Sequence, residues 1–596
     1  MIKKRVVVDN FEIDKGLEDY HPVLSKLLFN RGIKTREDVE KFLNPSFERD
    51  VHDPFLIHDM EKSVERIIKA IKCEEKIAVY NDYDCDGIPG GVVLTDFFEA
   101  IGYKNYVVYI PHRHNEGYGL HKHAIDYLEK ENVKLIITVD LAITNLEEII
   151  YTKEKNIEII VTDHHLPIHK EGSEQELPKA FSVLNSKKDI CNYPDKNLCG
   201  CAVAWKLVSA TLTKLRELEG KESKHKKEFK EILENVKKLP IGWEKWLLDM
   251  VGISTIADMV PLQNENRALA YFGIEVLRKS RRPGLQHLLK LAKATQKDIS
   301  EDDIGFTIAP RLNSASRMDI PQKARTVLAE NNLKVAMFAA EELENLNNDR
   351  KSSVKDITDT ISYDHIDFKN DVIVVGDESW GPGVLGLIAQ KIIDQTRKPV
   401  FVWGKGEGEI LKGSCRSIGD IHLVELMDRC TKGTFIHFGG HEQAGGFAFD
   451  KNNLEKISLE LNEAVKHVEK KEISKDKFEI DAELQIKDVT MELFNEINKL
   501  APFGMGNPKP VFEFKNVKPA KVREFGKLGG HLEIIYDNGS YEGLQAIAFG
   551  KIPKDFEVLK DGNPHTLIAR IEKSTFMGKT RLRLAIVSVI KTNLVN

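Results

Sequence analysis

The chain has 596 residues, 41% hydrophobic and 30% charged, with a formal net charge of −6. This composition excludes a disordered or fibrous chain, and the length predicts two to four domains. No run of eighteen apolar residues occurs, so no transmembrane helix is expected. The negative balance gives no bulk attraction for nucleic acid, which leaves a local basic stripe as the electrostatic route to one. The seven cysteines are scattered, which argues against a disulfide framework and for a reducing compartment. Cys199 and Cys201 lack CxxC pairing and histidine neighbours and read as small buried thiols. The opening Met-Ile-Lys-Lys-Arg, with Val6-Val-Val8 and then charge behind it, does not read as a secretory signal. A cytoplasmic location is expected.

Residues 1–75 read as a helical lead-in packed on the domain that follows, with loops at Asn30-Arg-Gly-Ile33 and Pro54. From Lys76 apolar runs recur at Ile77–Tyr80, Tyr106–Ile110, Leu135–Val139 and Ile157–Val161. Amphipathic segments such as Ala124–Lys130 and Leu146–Lys155 separate them, a βαβ alternation that predicts a parallel sheet in an α/β domain over 76–330. Within it, Lys214–Lys238 is densely charged and reads as a solvent-facing helical insert. Residues 331–363 carry apolar positions at helical spacing and no Gly or Pro from Leu333 to Ile361, which predicts a long connecting helix. A second α/β domain follows over 364–470, with a strand at Val372–Val375, a helix near Gly383–Ile393 and a strand at Pro399–Trp403. Short alternating strands at Val511–Phe514, His531–Tyr536, Leu544–Phe549 and Thr566–Ile571 then predict a small β-barrel over 478–596.

The first apolar run leads into Asp82, Asp84 and Asp86, spaced two apart, so in extended chain they share one face. Three carboxylates on one edge repel unless a cation sits among them, and carboxylate oxygens are natural ligands of Mg²⁺ and Mn²⁺. The third run ends in Asp140 and the fourth in Asp163-His164-His165. Three adjacent strands ending on carboxylate or imidazole would converge at the carboxyl edge of a parallel sheet, where α/β proteins place their sites. Far along the chain Asp258 stands in apolar surroundings, where a lone carboxylate needs a cation or a cap.

These stretches resemble the four motifs of the DHH phosphoesterase superfamily, and within it the RecJ-type single-strand-specific exonucleases. The likeness takes in Asp82-Tyr-Asp-Cys-Asp-Gly87, Ile137-Thr-Val-Asp140, Thr162-Asp-His-His165 and Thr255-Ile-Ala-Asp258. It continues through Arg113 with Glu116-Gly-Tyr-Gly119, Leu198-Cys-Gly200, Pro310-Arg-Leu-Asn313 with Arg317, and Trp380-Gly-Pro-Gly-Val-Leu-Gly386. Lys412-Gly-Ser-Cys-Arg-Ser417, Gly439-Gly-His441 and Pro502-Phe-Gly-Met-Gly-Asn-Pro508 complete the ordered set. The resemblance implies a DHH domain, a DHH-associated domain and a C-terminal OB-fold. It also implies an exodeoxyribonuclease of single-stranded DNA, working 5′ to 3′ to mononucleotides in repair and recombination, with two divalent cations. The chain departs from the family pattern at Pro89-Gly90 (usually small hydroxyl residues), at Leu141-Ala142 (usually with a glycine), at Gly381 (commonly His or Asn) and at Ser316 (usually glycine).

On this resemblance Asp140, which ends the middle strand of three, is expected to bridge the cations. Asp84, Asp86, His164 and Asp258 would complete the ligand set, with Asp82 a ligand or its supporting partner; which two of the aspartate triplet face the metals stays open. Carboxylates mixed with imidazole favour Mn²⁺ over Mg²⁺. Asp140, His164 and His165 are the candidate catalytic residues, with Asp163 orienting the imidazoles. Arg311, Asn313, Arg317, Ser414, Arg416, Gly439, Gly440 and His441 are candidates for substrate phosphate. Phe512, Lys515, Lys518, Lys521, Arg523 and Lys527 are candidates for a strand channel on the barrel. Candidate partners are single-stranded DNA, a single-strand-binding protein and a helicase, with the chain itself a monomer. A DHH hydrolase of short oligonucleotides and a non-catalytic replication scaffold are the alternatives. The barrel and lead-in argue against the first, and the retained ligand residues against the second.

Overall fold

The computed structural model describes residues 17–169, 174–218, 226–318, 320–361, 369–471, 479–526, 529–559, 562–576 and 579–591. The chain forms two compact units, one of His52–Val260 with Phe272–Ile473, the other of the described residues up to Val51, Pro261–Tyr271 and those beyond Ser474. Helices α1 (Pro22–Asn30) and α2 (Arg36–Leu43) open the chain. Leu24, Leu27, Leu28 and Val39 sit in one core with Phe512, Phe514, Leu532 and Leu567 of the C-terminal strands. Arg31 fastens this packing, donating to Asn507 Oδ1 (2.8 Å) and to the Pro508 carbonyl (2.7 Å). The expected lead-in over 1–75 is therefore corrected. The apolar faces of α1 and α2 belong with the barrel, and α3 (Met60–Lys72) is the helix that serves the parallel sheet. Buried Ser63 of α3 donates to Ser182 Oγ at 2.7 Å, on the edge strand of that sheet.

In the first unit β1 (Lys76–Asn81) leads into α4 (Gly87–Ile101), followed by β2 (Tyr106–Tyr109), β3 (Val133–Val139), β4 (Glu158–Thr162) and β5 (Ser182–Leu184). These strands form a parallel sheet in the order β2-β1-β3-β4-β5. β3 lies between β1 and β4, with Asn81 opposite Val139 and Val139 opposite Thr162, so the residues after each strand stand in a row. α5 (Gly200–Glu217) packs against α4, and α6 (Lys227–Lys238) rests on both. α6 buries Phe229, Ile232, Leu233 and Val236. The i, i+3, i+4, i+7 stripe in the charged segment is thus core, which corrects the solvent-facing insert. α7 (Leu248–Ala257), α8 (Ala309–Arg317) and the 28-residue connecting helix α9 (Leu333–Thr360) follow.

A second sheet within the same unit comprises β6 (Ile373–Gly376), β7 (Val400–Gly404), β8 (Ile410–Arg416), β9 (His437–Gly440) and β10 (Ala444–Asp450), in the order β9-β10-β8-β7-β6. α10 (Pro382–Thr396) packs Ile388 and Ile392 against Val400 and Val402 of this sheet. The other unit holds a seven-stranded sheet whose main strands are β11 (Phe512–Val517), β12 (Pro519–Phe525), β13 (His531–Tyr536), β14 (Leu544–Phe549), β15 (His565–Phe576) and β16 (Lys579–Lys591). Among the described residues no helix is long and apolar enough to cross a membrane, and none of the cysteines is in a disulfide.

Candidate active site

The carboxyl edge of the parallel sheet is built by backbone geometry before any side chain is considered. Asp82, Asp140 and Asp163 each extend a ladder by one bond, donating N–H to Val139, Thr162 and Leu184 carbonyls respectively. Three carboxylates are thereby fixed side by side. Asp84 accepts from the amides of Asp86 (2.8 Å) and Gly87 (3.1 Å), closing the turn into α4. Asp86 in turn accepts from the Gly200 and Cys201 amides at 2.6 and 2.8 Å, the first free N–H groups of α5. The same helix end presses on Asp140, since a Cβ on Gly200 would lie 2.6 Å from the Asp140 Cβ. Only glycine fits there.

Asp140 and Ala142 take φ of +63° and +90°, the left-handed region that costs a non-glycine residue about 1 kcal/mol. Ala142 thus carries the turn for which the family pattern commonly supplies a glycine. Asp258 follows α7 at its C-terminal end, where a carboxylate meets helix carbonyls and cannot serve as a cap. It lies instead with His164, whose Nε2 is 3.6 Å from Asp258, 3.2 Å from Asp140 and 3.8 Å from Asp86.

The expected ligand residues therefore converge. Asp82, Asp84 and Asp140 form one group of potential ligand atoms, Asp86, His164 and Asp258 another, and Asp140, His164 and His165 a third, each within 4.8 Å. Among the described residues, buried Asp82 Oδ1, Asp140 Oδ1 and both His164 nitrogens have no hydrogen-bond partner. Buried polar atoms left unpaired are costly, and an arrangement of carboxylate and imidazole donors of this kind fits divalent cations.

The electrostatics agree. Burial, then the charges of Asp86, Asp84, Asp82 and Asp258, push the Asp140 carboxyl well above its usual range. Burial and the neighbouring Asp86 and Asp84 push Asp258 up to about 9, and burial with Asp84 pushes Asp86 up to about 6. Burial pulls the His164 imidazole down to about 3, with His165 adding to the effect, so it stays a neutral donor. Burial would raise Asp163, but its hydrogen bond to His165 and that ring's charge outweigh burial and hold it below the usual range. An ionised Asp163 can only accept, and it accepts from His165 Nδ1 (2.8 Å) and from the amides of His164, His165 and Ile143. Asp163, expected to orient the imidazoles, is hydrogen-bonded to the His165 ring.

One residue beside it was missed as a candidate. The Tyr118 hydroxyl donates to the Asp140 carbonyl at 3.0 Å and lies 3.1 Å from His165 Nδ1, its ring set edge-on to the imidazole. It spans the two parts of the site that must hold still together. Tyr118→Phe should lower the turnover rate about tenfold with little change in KM, the usual scale for partners that orient a metal site. Steady-state kinetics would check this, and an unchanged rate would mean the hydroxyl is idle.

Beside the acidic edge lies a cavity of about 500 Å³ lined by Tyr83, Arg113, Arg317, Lys412, Ser414 and Arg416 among others, with no carboxylate in its wall. Arg416 Nη1 reaches Ser414 Oγ at 3.3 Å, and Arg113 lies 5.0 Å over the Tyr83 ring. Burial, then Arg113, Arg350 and Arg416, pull the Arg317 guanidinium down to about 9, with Asp84 opposing them. Arg317, Ser414 and Arg416, expected from the sequence to contact phosphate, line this cavity together, whereas Arg113 and Lys412 had been seen only as parts of motifs. Gly439, Gly440 and His441 lie on the exposed β9–β10 hairpin and do not line the cavity. Asn313 stands on α8 with a buried Oδ1 that has no partner among the described residues. Arg311 is a correction. Its buried guanidinium grips Glu344 of α9 through Nε (2.5 Å) and Nη2 (3.2 Å), so it ties two helices together.

The channel residues divide in the same way. Phe512 is fully buried in the barrel core and offers no stacking face, a correction to its expected role. Lys515 pairs with Glu483 and Arg523 with Glu533, while Lys518 and Lys521 are exposed. Lys527 lies outside the described residues. The exposed aromatic surface is elsewhere on the sheet. Phe525, His531 and Phe549 cluster with ring centres 5.3–6.1 Å apart, and Arg583 stands 5.7 Å over Phe549.

The sequence families agree with this division of the chain. The model of the DHH family, N-terminal domain, matches residues 76–235, that of the DHHA1 domain 369–467, and that of the RecJ OB domain 480–588. The chain is a RecJ-type member of the DHH superfamily. Among its relatives is the single-stranded-DNA-specific exonuclease RecJ of Bacillus subtilis, 33% identical over 91% of this chain and 65% of that protein. The chain thus spans just under two thirds of that relative's length. The RecJ exonuclease of Haemophilus influenzae is 28% identical over 95% of this chain and 96% of its own. The crystal structure of RecJ from Thermus thermophilus with Mn²⁺ shares the fold, with a TM-score of 0.75 at 23% identity over 96% of this chain and 76% of that one. For a DHH protein of this type, the DHH residues fall on the acidic edge and the DHHA1 residues supply Lys412, Ser414 and Arg416 of the basic cavity.

Proposed function

We infer that this chain is a metal-dependent exonuclease that degrades single-stranded DNA from its 5′ end and releases mononucleotides. The observation that carries the reading is the juxtaposition of an acidic, cation-demanding edge with a carboxylate-free cavity of guanidinium and ammonium groups. Curated relatives named as single-stranded-DNA-specific exonucleases support it. Asp82, Asp84, Asp86, Asp140, His164 and Asp258 would hold two divalent cations, with Asp140 shared between them; imidazole in the donor set favours Mn²⁺ over Mg²⁺. Bound there, the cations supply an acidified water and clamp the phosphoryl oxygens. The chain's own residues do the rest. Asp163 fixes the His165 ring, and the raised pKa of that ring suits it to a phosphoryl oxygen. Arg113, Arg317, Ser414 and Arg416 bind the terminal phosphate with planar, multidentate geometry.

The cavity's chemistry supports that polarity. A 5′ end carries a phosphate and a 3′ end a hydroxyl, so crowded guanidinium groups favour the former. Lys518, Lys521 and the Phe525–His531–Phe549 surface are the proposed strand contacts on the barrel, where base stacking would add sequence-tolerant affinity. The test is digestion of end-labelled single strands and duplex in Mn²⁺. A 5′-phosphorylated single strand should be shortened from that end about tenfold faster than its 5′-hydroxyl counterpart, and Arg416→Ala should erase the difference. Release of a 3′ label first, or duplex trimmed equally fast, would refute the reading.

A further inference from the structure

Behind the basic cavity lies a second cavity of about 560 Å³ that shares His114, Arg317 and Pro382 with it. Its remaining lining differs in kind. Met318, Ile357, Trp380 and Val384 supply apolar surface, and Ser353, Asp356, Thr360 and Ser379 are the polar groups it does not share with the first cavity. An apolar cleft with sparse polar groups, at 300–1,000 Å³, is the usual form of a small-molecule site. The two cavities adjoin at their shared residues, of which His114 and Arg317 are held by hydrogen bonds. His114 reaches the Arg317 carbonyl at 2.9 Å, Lys412 donates to the His114 carbonyl at 2.6 Å, and Arg317 Nη1 donates to the Gly383 carbonyl at 3.1 Å. That single bond is the hydrogen bond the Arg317 guanidinium makes, among the described residues, and no carboxylate pairs with it.

Residue 381 matters in this setting. Gly381 lines the second cavity beside Trp380, and a Cβ there would meet no atom within 4 Å. A side chain such as the His or Asn that commonly follows this tryptophan in the family pattern would stand in that open space. The glycine leaves open space beside Trp380.

We propose that this second cavity binds a nucleoside 5′-monophosphate, its base beside Trp380 in the space left by Gly381 and its phosphate on Arg317. The inference rests on the nuclease reading, because that reaction makes such a mononucleotide beside it. Bound there, the product occupies Arg317 and competes for the group that holds the next terminal phosphate. Product inhibition follows, and it depends on the base as well as the phosphate.

The experiment measures dAMP and inorganic phosphate binding to the full chain by calorimetry without strand, and dAMP inhibition of strand digestion in parallel. Gly381→His, which fills the space, and Trp380→Ala, which removes the platform, serve as variants, with circular dichroism to confirm folding. Both should weaken dAMP binding ten- to a hundredfold, the scale of losing a base-stacking aromatic, while phosphate binding and kcat/KM on strands stay within about twofold. If dAMP binds no more tightly than phosphate, or Gly381→His binds it as well as the parent chain, the proposal is overturned. If kcat/KM falls in step with dAMP binding, the cavity is part of the substrate path and the proposal again fails. Binding is read without turnover, so a chain that binds dAMP but digests no strand would sink the nuclease reading and leave the site standing.

Discussion

Asp140→Asn should lower single-strand digestion by about a thousandfold, on the scale of losing a group that stabilises transition-state charge at a metal site. Asp140 belongs to two of the three ligand groups, and its Oδ1 lies 3.2 Å from His164 and 3.6 Å from His165. Among the described residues, no other side chain shares ligand groups with both imidazoles and with Asp82 and Asp84. Asparagine is the better replacement than alanine, because Asp140 has φ of +63° and asparagine tolerates the left-handed region. The variant should stay folded and, without metal, melt at a higher temperature than the parent, since one crowded carboxylate is gone. Rates above a tenth of the parent's would remove Asp140 from the centre of the mechanism.

Raising the pH should destabilise the metal-free protein, and Mn²⁺ should restore it by an amount that grows with pH. Asp258 at about 9, Asp86 at about 6 and Asp140 and Asp82 well above their usual range bind protons in the folded state. In the unfolded chain the same groups ionise near pH 4. The folded state therefore holds extra protons between about pH 4 and 9, and stability falls as pH rises through that window. Cations bind the deprotonated groups, so binding must expel those protons. Calorimetric titration of Mn²⁺ in buffers of different ionisation enthalpy near pH 7 should show proton release. Thermal melts from pH 5 to 9 should show a widening gap between loaded and metal-free protein. A metal-free melting temperature that climbs across this window, or binding without proton release, would mean the carboxylates are not held as described.

The acidic edge was legible in the chain because its signal is local. An apolar run that stops on Asp82, Asp140 or Asp163 announces both a strand and its end, and parallel pairing then needs only the strand order. The partners of long side chains were not legible. Arg311 looks like any phosphate-binding arginine until Glu344, 33 residues on, is found against it. Period-two alternation marked Phe512 as strand but could not say which face of the barrel it joined. In α6 Phe229, Ile232, Leu233 and Val236 were visible as apolar positions, but the charge around them made the segment read as solvent-facing. The first two helices misled for a related reason, since amphipathic faces state that a core exists without saying whose. Tyr118 was present in a recognised motif, yet its task depends on a hydroxyl meeting residues 22 and 47 positions away.

One rod of eighteen residues gauges the gap between two acids of the sheet edge. Its leading amides grip Asp86 while its first glycine bears on Asp140. Any tilt of that rod would move both together, so the spacing is protected against drift and exposed to a single point of failure. Heat or a mutation that loosens the seat of α5 should abolish cation pairing abruptly, long before the sheet beneath it melts.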